Sequence, residues 1–311
     1  MICRPALGTG VAIGALARCT IALCTLAGVA AAQAPGGGEA PRWVTGVNGL
    51  AARQQSASID GGGDVAVTRY FGGLSVTRLG ASGGSVGASI GAGGADYSFG
   101  GAVAAPWGDI RDRRVSFSLR APLGQRGSVI VVPSLRESAE NGAELSDGRT
   151  YGGFAAVFWR LSDSFTIGPG IGVFSRLERD RQIFPFLAID WDITDRINLS
   201  TGQGVGATQG PGLSLSYAVT DALRVGVAGR IESAEFRLND TGTAPGGVGA
   251  HDAFPLVATI GWQPNPGLSA SAFAGMEYGG ELTVRDAQGG LVSRRDYDSA
   301  PVFGGQVSLR F

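Results

Sequence analysis

Along most of the chain apolar and polar residues alternate with period 2, which marks half-buried strands rather than helices. The C-terminal segment shows this well. Pro301, Phe303, Gly305, Val307, Leu309 and Phe311 share one face, and Val302, Gly304, Gln306, Ser308 and Arg310 share the other. Leu268 to Val284 carries an uncharged face through Leu268, Ala272, Met276 and Tyr278, opposite a face through Ser271, Phe273, Glu277 and Glu281. The same pattern predicts strands at roughly 64–78, 85–98, 114–121, 127–136, 151–160, 165–175, 183–192, 196–202, 211–218, 223–236, 252–263, 268–283 and 300–311.

The connections sort by length. Leu161–Ser164, Val219–Ala222 and Pro264–Gly267 are short, while 137–150, 237–251 and 284–299 are long and polar. Short turns at one end and long loops at the other define a transmembrane barrel with its turns in the periplasm. The last strand follows a long loop and runs toward the periplasm, as does 64–78. An even strand number therefore requires one more upward strand, which Arg42 to Ile59 can supply. The expectation is an all-β chain, a transmembrane antiparallel up-and-down β-barrel of about 14 strands spanning 42–311, with 12 as the alternative. In one hairpin a three-residue turn, 193–195, would pair Asp192 with Arg196 and Trp191 with Ile197 and keep both faces intact. Pro133 and Pro169 fall inside predicted strands, where a closed barrel has no free edge, and are read as bulges. Pro185, Pro255 and Pro301 sit near strand starts.

Composition supports strands and removes several chemistries. The chain has 53 glycines in 311 residues, and each glycine inside a helix costs about 1 kcal/mol relative to alanine. All 25 basic residues are arginine, and His251 is the single histidine. Without lysine there is no Walker A loop and no Schiff-base nucleophile. One histidine excludes a His-rich metal site.

Residues 1–32 read as a signal peptide. Arg4 and Arg18 are its basic part, and the apolar stretch Thr20–Ala32 is too short to span a bilayer. Cleavage is expected after Ala30-Ala31-Ala32. Cys24 follows Leu23, not the small residue a lipoprotein site requires. Residues 33–41 form a flexible leader. All three cysteines, Cys3, Cys19 and Cys24, lie in the signal peptide. The exported part, with 23 arginines and 26 acids, thus enters an oxidising compartment without thiols. Its near-neutral balance gives no support for nucleic-acid binding.

The ending Val307-Ser-Leu309-Arg-Phe311 resembles the assembly signal of Gram-negative outer-membrane proteins. Five stretches are similar to an uncharacterised family of proteobacterial outer-membrane β-barrels. They are Tyr151-Gly-Gly-Phe154, Ile167-Gly-Pro-Gly-Ile-Gly-Val173, Phe184 to Arg196, Gln209-Gly-Pro-Gly-Leu213 and Phe236-Arg-Leu238. The likeness covers 151–238, fades toward both ends, and implies fold and location but no activity. The partners expected of an outer-membrane barrel are outer-membrane lipids, lipopolysaccharide and the barrel assembly machinery.

Candidate chemistry is sparse. A hydrolase would need His251 beside a nucleophile such as Ser233 or Ser214 and an acid such as Asp252, yet no spacing selects these residues. Polar loop surface is the ordinary reading of His251. Gly168-Pro-Gly170-Ile-Gly172 and Gly204-Val-Gly206 lack the helix a dinucleotide fingerprint requires. Glu137, Glu140, Glu144 and Asp147, and likewise Glu178 and Asp180, do not have calcium-loop spacing and read as solvated loop charge. No cofactor or metal is expected.

Arginine is the organised polar feature. Strand parity points Arg120, Arg160, Arg196, Arg224 and Arg310 into the lumen near the periplasmic mouth, with Asp190 and Asp192 at that level and Glu277 and Glu281 further out. Such a ring favours anions. Alternatively the arginines bond turn carbonyls and the two aspartates and close the mouth. The function expected is a small passive pore for solutes with weak anion preference. A non-conducting structural or lipid-contacting barrel is the alternative, and an outer-membrane lipid hydrolase the third reading.

Overall fold

A computed structural model describes residues 40–311 except 102–103 and 202–211. The signal peptide and all but the end of the leader lie outside the described residues, as do Gly204 and Gly206. Ten strands lead off: β1 (Arg42–Ser58), β2 (Asp64–Leu79), β3 (Ser85–Gly100), β4 (Ile110–Leu123), β5 (Gly127–Glu140), β6 (Arg149–Ser162), β7 (Phe165–Arg176), β8 (Arg179–Asp192), β9 (Ile197–Thr201) and β10 (Gly212–Ala218). Then come β11 (Leu223–Arg230), β12 (Glu232–Arg237), β13 (Val248–Asn265), β14 (Leu268–Arg285), β15 (Leu291–Tyr297) and β16 (Ala300–Arg310).

These sixteen segments make a closed antiparallel barrel of 14 strands. β11 and β12 pair with β13 in one unbroken register and form a single strand interrupted at Ile231. β15 and β16 likewise share one register along β14, apart from a shift at the outer end where Arg285 meets Leu291. β16 closes the ring on β1, from Gly46–Arg310 to Gln54–Val302, so no edge of the ring is left open.

The lipid-facing wall is apolar because alternate side chains must meet hydrocarbon. Phe117, Leu119, Ile171, Ile183, Leu187, Leu215, Val227, Leu256 and Ile260 are exposed on it. Trp43, Trp159, Trp191, Trp262 and Tyr217 ring its periplasmic rim, and Tyr70, Tyr151 and Tyr278 its outer rim. Tyr151 and Trp159 share a face of β6 eight residues apart, about 20 Å along the membrane normal once strand tilt is counted. The fold, belt and girdles define a bacterial outer-membrane barrel.

Inside, bulky rings lie on glycines of the neighbouring strand. A Cβ at Gly172 would come within 2.1 Å of Phe184, and at Gly170 within 2.3 Å of Phe186. Phe71 covers Gly91, Phe174 Gly152, Phe273 Gly304 and Tyr297 Gly280 in the same way. Glycine lets each of these rings lie flat on the wall.

The strands differ from expectation in three respects. Those around the outer loops are longer, because alternation continues above the lipid belt with charged residues on the outward face and so loses its apolar contrast. Pro133 and Pro169 are not bulges. Pairing of β4 with β5 has one register above and below Pro133, and pairing of β6 with β7 one register above and below Pro169. Each proline only drops ladder pairs on one side and keeps its partner on the other, Gly153 and Leu187 respectively. Finally, β8 and β9 pair Asp192 with Asn198 and Trp191 with Leu199. The connection is two residues longer than the three-residue turn expected, because Thr194 and Ile197 bond each other's backbone inside it.

Candidate functional site

The outer half of the barrel is filled by its own wall. β12 stays in register with β13 but leans across the mouth and meets β5, where Arg237 pairs with Ala139. Asn239 N–H donates to Glu140 (2.9 Å), whose other oxygen accepts from Gly108 N–H (2.6 Å). Beneath this crossing lies an apolar core of Ile59, Val65, Val67, Trp107, Ile110, Phe236, Leu238, Leu282, Val284 and Tyr297. The outward face of β12 is latched to the β7–β8 hairpin. Glu235 pairs with Arg176 (3.4 Å) and Arg179 (2.5 Å), and Glu178 with Arg237 (2.7 Å). Glu137 is likewise paired, with Arg149. Thus Glu140 is a buried anchor, while Glu137 and Glu178 are ion-paired at the surface.

His251 is the hub of a buried network under that core. Tyr297 Oη donates to Glu277 Oε1 (2.8 Å) and lies 2.6 Å from His251 Nε2. A hydroxyl has one proton, so Nε2–H is the donor to Tyr297 and Nδ1 is an acceptor. Tyr97 Oη, 3.0 Å from Nδ1, then donates to it, and Arg69 Nη2 approaches Nδ1 at 3.4 Å. Arg69 also donates to Glu277 (3.1 Å), which is fully buried. The four strands β2, β3, β13 and β14 and the β15–β16 wall each contribute one member, so the network ties the barrel together across its lumen. The sequence reading of His251 as loop surface is corrected: it sits in β13, buried, and neither nitrogen bonds a serine. Ser214 bonds Ser200 instead (3.0 Å), and Ser233 faces Asp252 on the opposite side of the wall from His251.

Below the network a small cavity of about 70 Å³ is lined by Arg69, Asp112, Arg114, Arg136, Glu232 and His251. Arg136 binds Asp112, and Arg114 lies over the ring of Phe71 at 5.3 Å. Toward the periplasm the lumen is different. Ser75, Asp192, Arg224 and Arg310 face inward and are exposed, while on β5 and β6 the inward Ile130, Val132, Phe154 and Ala156 form a buried apolar cluster.

The expected site residues divide. Arg120, Arg160, Arg224 and Arg310 lie at the periplasmic ends of β4, β6, β11 and β16 on the inward face. Arg120 feels the charge of Arg160 and donates to Ser128 (3.3 Å). Asp190 and Asp192 both accept from Asn198, at 2.8 and 2.9 Å. Arg196 leaves the ring. The longer turn carries it to the outer surface, where it reaches Tyr217 Oη (3.5 Å). Glu281 also leaves the lumen. Gly279 adopts φ +59° in a bulge of β14, and the extra residue turns Glu281 outward beside Asp252, where it pairs with Arg294 (3.2 Å). Glu277, below the bulge, stays inside. Phe311, beyond Leu309 and Val307, exchanges backbone bonds with Thr45 on β1, at 2.9 and 3.1 Å. No group of three or more His, Cys, Asp or Glu among the described residues could hold a metal.

No protein-family model matches the chain, and no curated protein matches it. Among solved structures it is similar to an outer-membrane channel from Pseudomonas putida F1, with TM-score 0.49 and 11% identity over 88% of this chain and 96% of that one. It is also similar to a FadL homologue of Pseudomonas aeruginosa (0.46, 13% identity, 86% and 89%) and to the translocator domain of the autotransporter NalP from Neisseria meningitidis (0.37, 12% identity, 87% and 89%).

Proposed function

We propose that this protein is a passive outer-membrane channel with weak anion preference, held closed by its outer half. The observation that supports this reading is the contrast inside one lumen: charged inward residues at the periplasmic rim, Asp192, Arg224 and Arg310, are exposed, whereas the other end is sealed by an apolar core. The four expected inward arginines, with Arg42 on the same inward face of β1, stand against two aspartates and leave an excess of about three positive charges. A unit charge about 4 Å from a passing ion is worth about 1 kcal/mol even in bulk water. At 0.1 M salt, screening acts over about 10 Å, so an ion in the vestibule still feels the ring. The five stretches similar to the uncharacterised proteobacterial barrel family support membership in it. Among the described residues His251 has two tyrosines, an arginine and Glu277 as neighbours and no serine within hydrogen-bond reach, which lends no support to the hydrolase reading.

Planar-bilayer recording tests the reading. The wild type should open rarely, and Tyr97→Phe with Tyr297→Phe should raise its open probability. Chloride should be preferred to potassium in a salt gradient, and Arg160→Ser with Arg224→Ser should reduce that preference. A second reading, a non-conducting barrel, is favoured by the filled outer half. It would be adopted if neither the wild type nor the tyrosine variant conducts.

A further inference from the structure

Strand β4 begins Ile110-Arg-Asp-Arg-Arg-Val115, and its alternation splits the charges. Asp112 and Arg114 are buried inside, while Arg111 and Arg113 stand exposed on the outer wall above the lipid-facing Val115, Phe117 and Leu119. The row continues around the barrel. Arg113 pairs across the ladder with Glu137 of β5, and Glu137 with Arg149 of β6. One step lower, Val115, Leu135 and Tyr151 occupy the same three strands. On β8, Arg181 is exposed just above lipid-facing Ile183. Between them Ser175 of β7 accepts Tyr151 N–H (2.9 Å).

Four arginines and one glutamate therefore form an arc at the outer edge of the hydrocarbon belt, with a net charge of about three positive. Neighbouring strands are about 4.8 Å apart, so guanidinium groups two strands apart lie roughly 10 Å from one another. Arg149 is ion-paired yet half exposed (51%), and Arg111 gives one bond to Ala143 C=O (2.8 Å). Arg113 and Arg181 make no ion pair among the described residues. Elsewhere on the outer wall the charged residues described near this level are of both signs. Asp96 of β3 accepts from Tyr70, Arg53 of β1 bonds Thr68, and Glu281 is held by Arg294.

A guanidinium fork matches phosphate oxygens two at a time. At this depth, on the outer side, the phosphates belong to the glycolipid of the outer leaflet. We infer that the outer face of β4–β8 binds the lipid A phosphates of lipopolysaccharide through Arg111, Arg113, Arg149 and Arg181. The arc then replaces divalent cations as the counter-charge of the leaflet around the barrel. This holds whether or not the lumen conducts.

The mature protein, refolded in detergent, can be titrated with bisphosphorylated lipopolysaccharide while heat-modifiable migration on gels reports its unfolding temperature. Lipopolysaccharide should raise that temperature, and its dephosphorylated form or phosphatidylglycerol should not do so at equal concentration. Arg113→Ser with Arg181→Ser, both exposed and unpaired, should fold normally without lipid and weaken the apparent lipopolysaccharide affinity at least tenfold. An equal rise with phosphatidylglycerol, no rise in the wild type, or an unaltered affinity in the double variant would each overturn the assignment.

Discussion

Glu277 and Glu281 lie four residues apart on one strand and face opposite sides of the barrel wall. A regular strand puts such a pair on one face. The single inserted residue at Gly279 reverses them, leaving Glu277 in the lumen with Arg69 and sending Glu281 out to Arg294. Placing an L-residue at this left-handed position costs about 1–2 kcal/mol. Gly279→Ala should lower unfolding stability by that amount, measured by urea titration in lipid vesicles, whereas an unchanged midpoint would mean the bulge relaxes freely.

The Arg69–Glu277 pair should behave as a buried pair with uneven single deletions. Arg69→Met leaves an uncompensated buried carboxylate, a loss of about 3–5 kcal/mol. Arg69→Met combined with Glu277→Leu removes both charges and should recover most of that loss. A double variant as unstable as the single one would show that the charges do not compensate each other.

The ring-on-glycine packing predicts a sharp contrast between two glycines. Gly172→Ala meets the Phe184 ring and should destabilise by about 1–3 kcal/mol, the cost of overpacking. Gly49→Ala, with nothing within 4 Å of its Cβ, should fall within about 0.5 kcal/mol of wild type. Comparable losses at both positions would mean that strand glycines are needed for backbone freedom and not for the rings.

Phe311 closes the last strand against Thr45 and matches the terminal position of the assembly signal. Its deletion should leave protein in the periplasm and lower the amount in the outer membrane, as read by fractionation and protease accessibility. Normal outer-membrane levels would assign assembly to other residues.

The strands were legible because each alternates between lipid and lumen, and the order of turns and loops fixed their directions. What escaped the sequence was set by contacts distant along the chain. His251 sits in Val248-Gly-Ala-His251, a run without apolar contrast, and its partners Arg69, Tyr97, Glu277 and Tyr297 come from other strands. Glu281 was misplaced because parity counting assumes an unbroken pleat. The Gly279-Gly280 doublet in a strand was the available warning of a bulge. Arg196 was misplaced because turn length, which no alternation encodes, decides where its side chain emerges.

If the barrel is the channel proposed above, the way β12 crosses the mouth limits how it can open. A separate plug domain could be expelled like a cork, leaving the cylinder intact. Here part of the stopper is a stretch of the cylinder itself, still laddered to β13 from Glu232 to Arg237, with Trp107 and Leu238 of the loops packed beside it. Unblocking therefore means bending the staves: β12 must part from β5, its ion pairs to the β7–β8 hairpin must let go, and the neighbouring β13 and β14 must tilt with it. On the channel reading, a crosslink between Arg237→Cys and Ala139→Cys should hold the crossing in place and abolish any opening in planar-bilayer recordings.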